Sequence, residues 1–321
     1  FKVLYRQINV KLFIKAEKVM DVKKILFIGL SCVGDVVMTS VVIQTLQQKF
    51  PRAVFDFVAD RRSSNLYDRF PNLGKIVIKN KDNFLRGTPD LIRQLWRTKY
   101  DIIVDVRTDG LAYLLRGKKK YTKMFANSYG EHAIESLMGV ISSLHHNNPI
   151  PNTTIWLSEL ERKNTQNKLL FFEQKDKLLA ICVGDIRRPV KCWPADKFIE
   201  LLNKQDDNFS GIIFLGGDLD KERTCEVASN IDLPYINTIG SSLLETAAFL
   251  ENSILYIGPD SGVGHIACAV KTPVVSLFSV DKPERCRPWG KSVICIKGSN
   301  NDARNILVED VNLAIRGILN E

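Results

Sequence analysis

Short apolar runs that end in a Gly-, Asp- or Ser-containing turn and lead into a helical pattern recur along almost the whole chain. This alternation leaves little besides a layered α/β fold with mostly parallel sheets. In the first half, Ile25 to Gly29, Val54 to Ala59, Lys75 to Ile78 and Ile102 to Val106 read as strands, with helices after Gly34, near Arg62 to Arg69 and over Pro89 to Arg97. A linker is expected near Glu173 to Lys177, and a second series follows it. There Leu178 to Val183, Gly211 to Leu215, Ile254 to Ile257 and Val274 to Phe278 read as buried strands, and Pro194 to Lys204, Asp220 to Ser229, Ser242 to Asn252 and Val308 to Leu319 as helices. With 321 residues and 45% hydrophobic content, the chain is too long for one ordinary core and rich enough for two.

Several function classes drop out on composition. The seven cysteines are odd in number, contain no Cys-x-x-Cys pair and fall mostly inside apolar elements, so they read as reduced thiols and not as a disulfide frame or zinc site. No apolar run approaches the roughly 18 residues of a membrane span, and no signal peptide is visible, which places the expected work in the cytoplasm. The net charge of +9 is uneven. Phe1 to Lys24 carries seven basic residues against Glu17 and Asp21, with Leu4, Ile8, Leu12 and Ala16 four apart. It reads as a basic amphipathic helix that either lies on an anionic leaflet or packs its stripe on the protein. Arg116, Lys118, Lys119 and Lys120 form a second basic cluster after Leu111 to Leu115. Such a run is ordinarily a solvated face.

Two strand-turn-helix segments carry the chemistry. In the first, Gly29-Leu-Ser-Cys-Val-Gly-Asp35, the glycines are spaced as in a P-loop, but Asp35 stands where the phosphate-binding Lys would be, which argues against a nucleoside triphosphatase. Ser31 fills the middle position of the dinucleotide fingerprint, which argues against a nicotinamide enzyme. What remains is a carboxylate at the carboxyl edge of a first parallel strand, serving either as a helix cap or in chemistry. In the second segment, Asp260, Ser261 and Gly262 precede the apolar helical run Ile266, Ala267, Ala269 and Val270, with His265 one turn in. The free N–H groups and dipole at that helix start suit a diphosphate, and an ordinary cap is the plainer alternative.

The loop Gly29 to Met38, the Lys191-Cys-Trp-Pro194 segment, the Gly216-Gly-Asp-Leu-Asp-Lys-Glu222 turn and the Asp260-Ser-Gly…His265 run together resemble the ADP-heptose:lipopolysaccharide heptosyltransferases, glycosyltransferase family 9, over roughly residues 23 to 316. The resemblance implies a GT-B architecture, two Rossmann-like domains facing across a cleft, and inverting, metal-independent transfer of a sugar from a nucleotide diphosphate. On that reading residues 1–22 are the basic helix, 23–172 an acceptor domain, 173–305 a nucleotide-sugar domain, and 306–321 a helix that packs back on the first domain. Asp35 is then the general base. Lys191, Glu222, Asp260, Ser261, Gly262 and His265 bind the donor, ADP-heptose, with Glu222 at the nucleotide ribose and no cofactor or metal. Arg116, Lys118, Lys119 and Lys120 meet a phosphorylated, acidic, lipid-linked acceptor of inner-core lipopolysaccharide type. Peripheral contact with the inner membrane's cytoplasmic face is expected, and nucleic acid is not. Arg187 and Ile186 replace the hydroxyl residues that the family commonly places before the Lys, so Arg187 or Arg188 is expected to substitute as a cation. A related GT-B glycosyltransferase, a sugar-nucleotide epimerase with another donor, and a non-catalytic saccharide-binding relative stay open as alternatives.

Overall fold

The computed structural model describes residues 21–79, 84–107, 109–126, 130–145, 149–205 and 208–320. The basic segment 1–22 therefore lies outside the described residues except for its last two. Strands β1 (Lys24–Ile28), β2 (Val54–Ala59), β3 (Leu73–Ile78), β4 (Tyr100–Asp105) and β5 (Gly117–Thr122) form one sheet in the order β3-β2-β1-β4-β5. Strands β6 (Leu178–Ile181), β7 (Gly211–Phe214), β8 (Tyr235–Asn237), β9 (Leu255–Pro259), β10 (Val274–Phe278) and β11 (Val293–Lys297) form another in the order β11-β10-β9-β6-β7-β8. Every pairing in both sheets is parallel. The central strands are mostly apolar and, apart from Lys24 at the start of β1, buried, because helices cover both faces, as parallel sheets require.

Ten α-helices are described: α1 (Val33–Lys49), α2 (Phe84–Trp96), α3 (Ala133–Gly139), α4 (Glu159–Lys168), α5 (Ala195–Leu202), α6 (Lys221–Ala228), α7 (Leu243–Glu251), α8 (Gly262–Ala269), α9 (Pro283–Cys286) and α10 (Val308–Leu319). Leu91 and Leu95 of α2 cover the outer face of the first sheet with Leu26, Ile28 and Ile103. Helices α5, α6 and α10 cover the outer face of the second with Leu179, Ile181 and Val275. Between the sheets lies one continuous apolar cluster, in which Val37 and Val41 of α1 and Ile134 of α3 join Phe249 of α7 and Ile266 of α8. The two domains thus share a core.

Two expectations change, and one segment gains an element. Helix α10 does not return to the first domain. Its buried face, Val308, Val311, Ala314 and Ile315, belongs to the second domain's cluster, and it packs on α5, β10 and β11, where Asn312 meets Gln205. The lysine run, read only as a solvated basic face, is the edge strand β5, held by parallel pairing to β4 from Tyr100↔Gly117 to Asp105↔Thr122. The helix expected near Arg62 to Arg69 is a single 3-10 turn, Ser64–Tyr67.

Candidate active site

The site is assembled where two helices begin, one from each domain, at the carboxyl ends of β1 and β9. Arg107, just after β4, fixes the turn before α1 by donating from Nη1 to the Gly29 carbonyl and to Ser31 Oγ, each at 3.1 Å. The two helix starts then touch through glycines. A β-carbon on Gly34 would lie 2.7 Å from His265 Cδ2, and one on Gly262 would lie 2.7 Å from Val33 Cβ, so only hydrogen fits at either position. Asp35, the third residue of α1, is half-buried beside this contact. Burial raises its carboxyl above the usual carboxylate range, and the charge of Lys123, just after β5, pulls it back.

On the other side of Ser261 opens a cleft of about 790 Å³. Its walls are Gly184 to Lys191 after β6, Gly216 to Asp220 after β7, the Gly240 to Leu243 turn before α7, and Asp260 and Ser261 after β9. Arg62 and Asn65 reach it from the first domain. Lys191 ends a 3-10 turn, Pro189–Lys191, that carries it into the cleft. Its Nζ pairs with Asp281 and stands 3.9 Å from Asp260. Burial raises the Asp260 carboxyl, against the pull of Lys191, and the adjacent Asp281 accentuates the rise. Asp281 is held low, chiefly by its hydrogen bond from Lys191. A single cation serving two carboxylates at the mouth of a helix start is a cation available for exchange onto an anionic ligand.

The expected donor residues divide. Lys191, Asp260 and Ser261 line the cleft, and Gly262 begins the helix at its floor. His265 does not line it: the residue is 5% exposed, its ring packs on Gly34, and burial holds it down at about 4, neutral at ordinary pH. Glu222 is exposed on the first turn of α6, outside the residues that line the cleft, where Asp218, Leu219 and Asp220 stand instead. Arg187 is engaged by Asp185 through two guanidinium nitrogens, whereas Arg188 faces the cleft. The basic cluster is split along β5. Arg116 and Lys118 lie at the amino end, where Lys118 pairs with Asp101 at 2.6 Å, and Lys120 lies towards the carboxyl end. Lys123, Arg62 and Asp281 were not singled out from the sequence. Each follows a strand's carboxyl end by a few residues, which was the available signal. Among the described residues no group of three His, Cys, Asp or Glu side chains is placed to hold a metal ion.

Two parallel-sheet domains with a nucleotide-sized cleft at the strands' carboxyl ends, walled chiefly by the second domain, define the GT-B class. Within that class the chain belongs to glycosyltransferase family 9 (heptosyltransferase), whose family model matches residues 108–313. Lipopolysaccharide heptosyltransferase 3 of Escherichia coli K12 is 27% identical over 290 residues, covering 81% of this chain and 84% of that protein. In overall fold the chain is similar to a family 9 glycosyl transferase of Veillonella parvula (TM-score 0.81, 21% identity, 94% and 98% of the two chains covered). It is also similar to the E. coli ADP-heptose lipopolysaccharide heptosyltransferase II (TM-score 0.77, 19% identity, 92% and 98% covered).

Proposed function

We propose that the protein transfers a heptose from ADP-heptose to a phosphorylated inner-core saccharide of lipopolysaccharide type, inverting the anomeric centre. Family membership and the activities of its relatives support the donor and the acceptor class. The observation that carries the chemistry is the meeting of the two helix starts, which brings the Asp35 helix turn against Gly262, at the floor of the Lys191 and Asp260 cleft.

Asp35 accepts the proton of an acceptor hydroxyl. The oxygen attacks the anomeric carbon as the bond from that carbon to the β-phosphate oxygen breaks, and ADP departs. Burial gives Asp35 a basicity that a carboxylate at a helix start would otherwise lack. Lys191 leaves Asp281 for the diphosphate, and the amides of Ser261 and Gly262 with the α8 dipole share the developing charge. This cationic and amide set does the electrostatic work, so turnover is expected to need no metal ion. Asp260 orients donor hydroxyls. A lipid-linked acceptor places the reaction at the cytoplasmic face of the inner membrane, and the basic segment 1–22 is suited to peripheral contact there.

The test is to incubate the protein with ADP-heptose and a delipidated, heptose-deficient core saccharide and to weigh the product. A gain of one heptose is expected. Turnover of another nucleotide sugar with none of ADP-heptose would sink the assignment.

A further inference from the structure

The free edge of the first sheet combines two kinds of surface. Strand β5 is outermost in the sheet and carries Lys118, Lys119 and Lys120 in a row, with Lys123 in the turn that follows. Lysines on an edge ordinarily keep it from pairing with another chain. Edge protection gives no reason for the apolar side chains among them. Tyr113 is 45% exposed, Leu114 52% and Met124 58%. Tyr113 is tied to the strand by a 2.7 Å hydrogen bond between its hydroxyl and Thr122 Oγ1. Lys120 Nζ donates to the Tyr113 carbonyl at 3.4 Å and stands 5.9 Å from the ring centroid. Exposed apolar residues scattered singly are normal, but three beside one strand edge, interleaved with cations, form an amphipathic surface.

We infer that Tyr113, Leu114 and Met124, flanked by Lys120 on the same face of β5 and by Lys123 in the turn after it, form the surface with which the protein docks on an anionic lipid bilayer. The inference rests on the lipid-linked acceptor proposed above. Charge complementarity selects the occupant: a second copy of the chain would set lysine against lysine, whereas anionic headgroups neutralise the lysines while the apolar side chains enter the interface. Position agrees. Lys123 is the cation whose charge acts on Asp35, so the docked edge and the base lie at the same end of the sheet, where a saccharide anchored in the bilayer can reach. Of the lysines expected to grip acceptor phosphates, Lys120 is thereby reassigned to lipid headgroups.

The test is co-sedimentation of the full chain, without donor or acceptor, with phosphatidylcholine vesicles and with phosphatidylcholine vesicles containing phosphatidylglycerol. Wild type should bind only the anionic vesicles, and high salt should release it. A Leu114→Ser/Met124→Ser variant should lose at least about tenfold in partition, since both apolar side chains leave the interface. Lys120→Gln/Lys123→Gln should lose about 30-fold, two lysines at roughly 1 kcal/mol apiece. All three proteins should melt alike, and the Leu114→Ser/Met124→Ser variant should turn over a delipidated acceptor as wild type does. Equal binding to both vesicle types, wild-type binding by the Leu114→Ser/Met124→Ser variant, or a change of oligomeric size in place of vesicle binding would each overturn the inference. A chain that docks through this edge yet transfers no heptose would support the surface and sink the reaction, so the two failures are distinct.

Discussion

Asp35 combines two opposed influences, burial that raises its carboxyl and the Lys123 charge that lowers it. If it is the base, Asp35→Asn should lower kcat by about 10² to 10⁴ and leave ADP affinity within a few-fold, as measured by turnover and calorimetry. A base must be ionised to act, so activity is lost as pH falls through its folded pKa. Removing Lys123 leaves the burial effect unopposed, so Lys123→Gln should move the acid limb of the kcat profile to higher pH. A limb that stays put would separate Lys123 from Asp35. Lys191→Ala should cost about 2 to 4 kcal/mol in kcat/KM, raising the Kd for ADP as well as slowing transfer, because the same charge meets the bound donor and the leaving group. Asp35 and Lys191 were both legible in the sequence, since each sits in a short turn beside a strand or helix signal. Arg62 and Asp281 were not, because a charged residue after a strand declares its chemistry only when the opposite wall of the cleft is known.

At the scale of elements, the contact between α1 and α8 sets the geometry. Gly262→Ala would drive a methyl into Val33 and part the helix starts, and a displacement near 1 Å at a reacting centre is worth on the order of 10² in rate. We expect Gly262→Ala to lose about that much in kcat while keeping its circular dichroism spectrum. His265 packs in the same contact, with its pKa lowered from 6.5 to about 4 by burial. A histidine so depressed stabilises the fold above 6.5. As pH falls from 6.5 to 4 the unfolded chain takes the proton first, and stability declines by about 1.4 kcal/mol per pH unit for this group. Denaturant titrations should therefore show a shallower decline over that window in His265→Gln than in wild type. Apolar strands such as Ile25 to Ile28 and Val274 to Phe278 could be read from composition alone. Strand β5, Gly-Lys-Lys-Lys-Tyr-Thr, could not, because lysine has little strand preference and the segment is held by its pairing with β4. Amphipathicity likewise marked the buried face of α10 without saying which domain it faces.

At the scale of the molecule, the shared core decides how the domains behave together. The apolar cluster between the sheets contains side chains from both halves. Arg162 of α4 binds Glu251 of α7 across the boundary at 2.8 and 3.0 Å, and Lys168 pairs with Glu245 beside it. Domains joined by a thin linker unfold separately, and a ligand then shifts only the transition of the domain that holds it. Here the cleft walls come mostly from the second domain, but the helix at its floor is packed on α1 of the first. Calorimetry should accordingly show one transition that ADP moves as a whole, with about 2.7 kcal/mol of added stability at a hundredfold excess over Kd. Two resolved transitions, with ADP shifting only one, would mean that the intersheet cluster does not couple the halves, and that Asp35 and Lys191 depend on ligand-driven closure to meet.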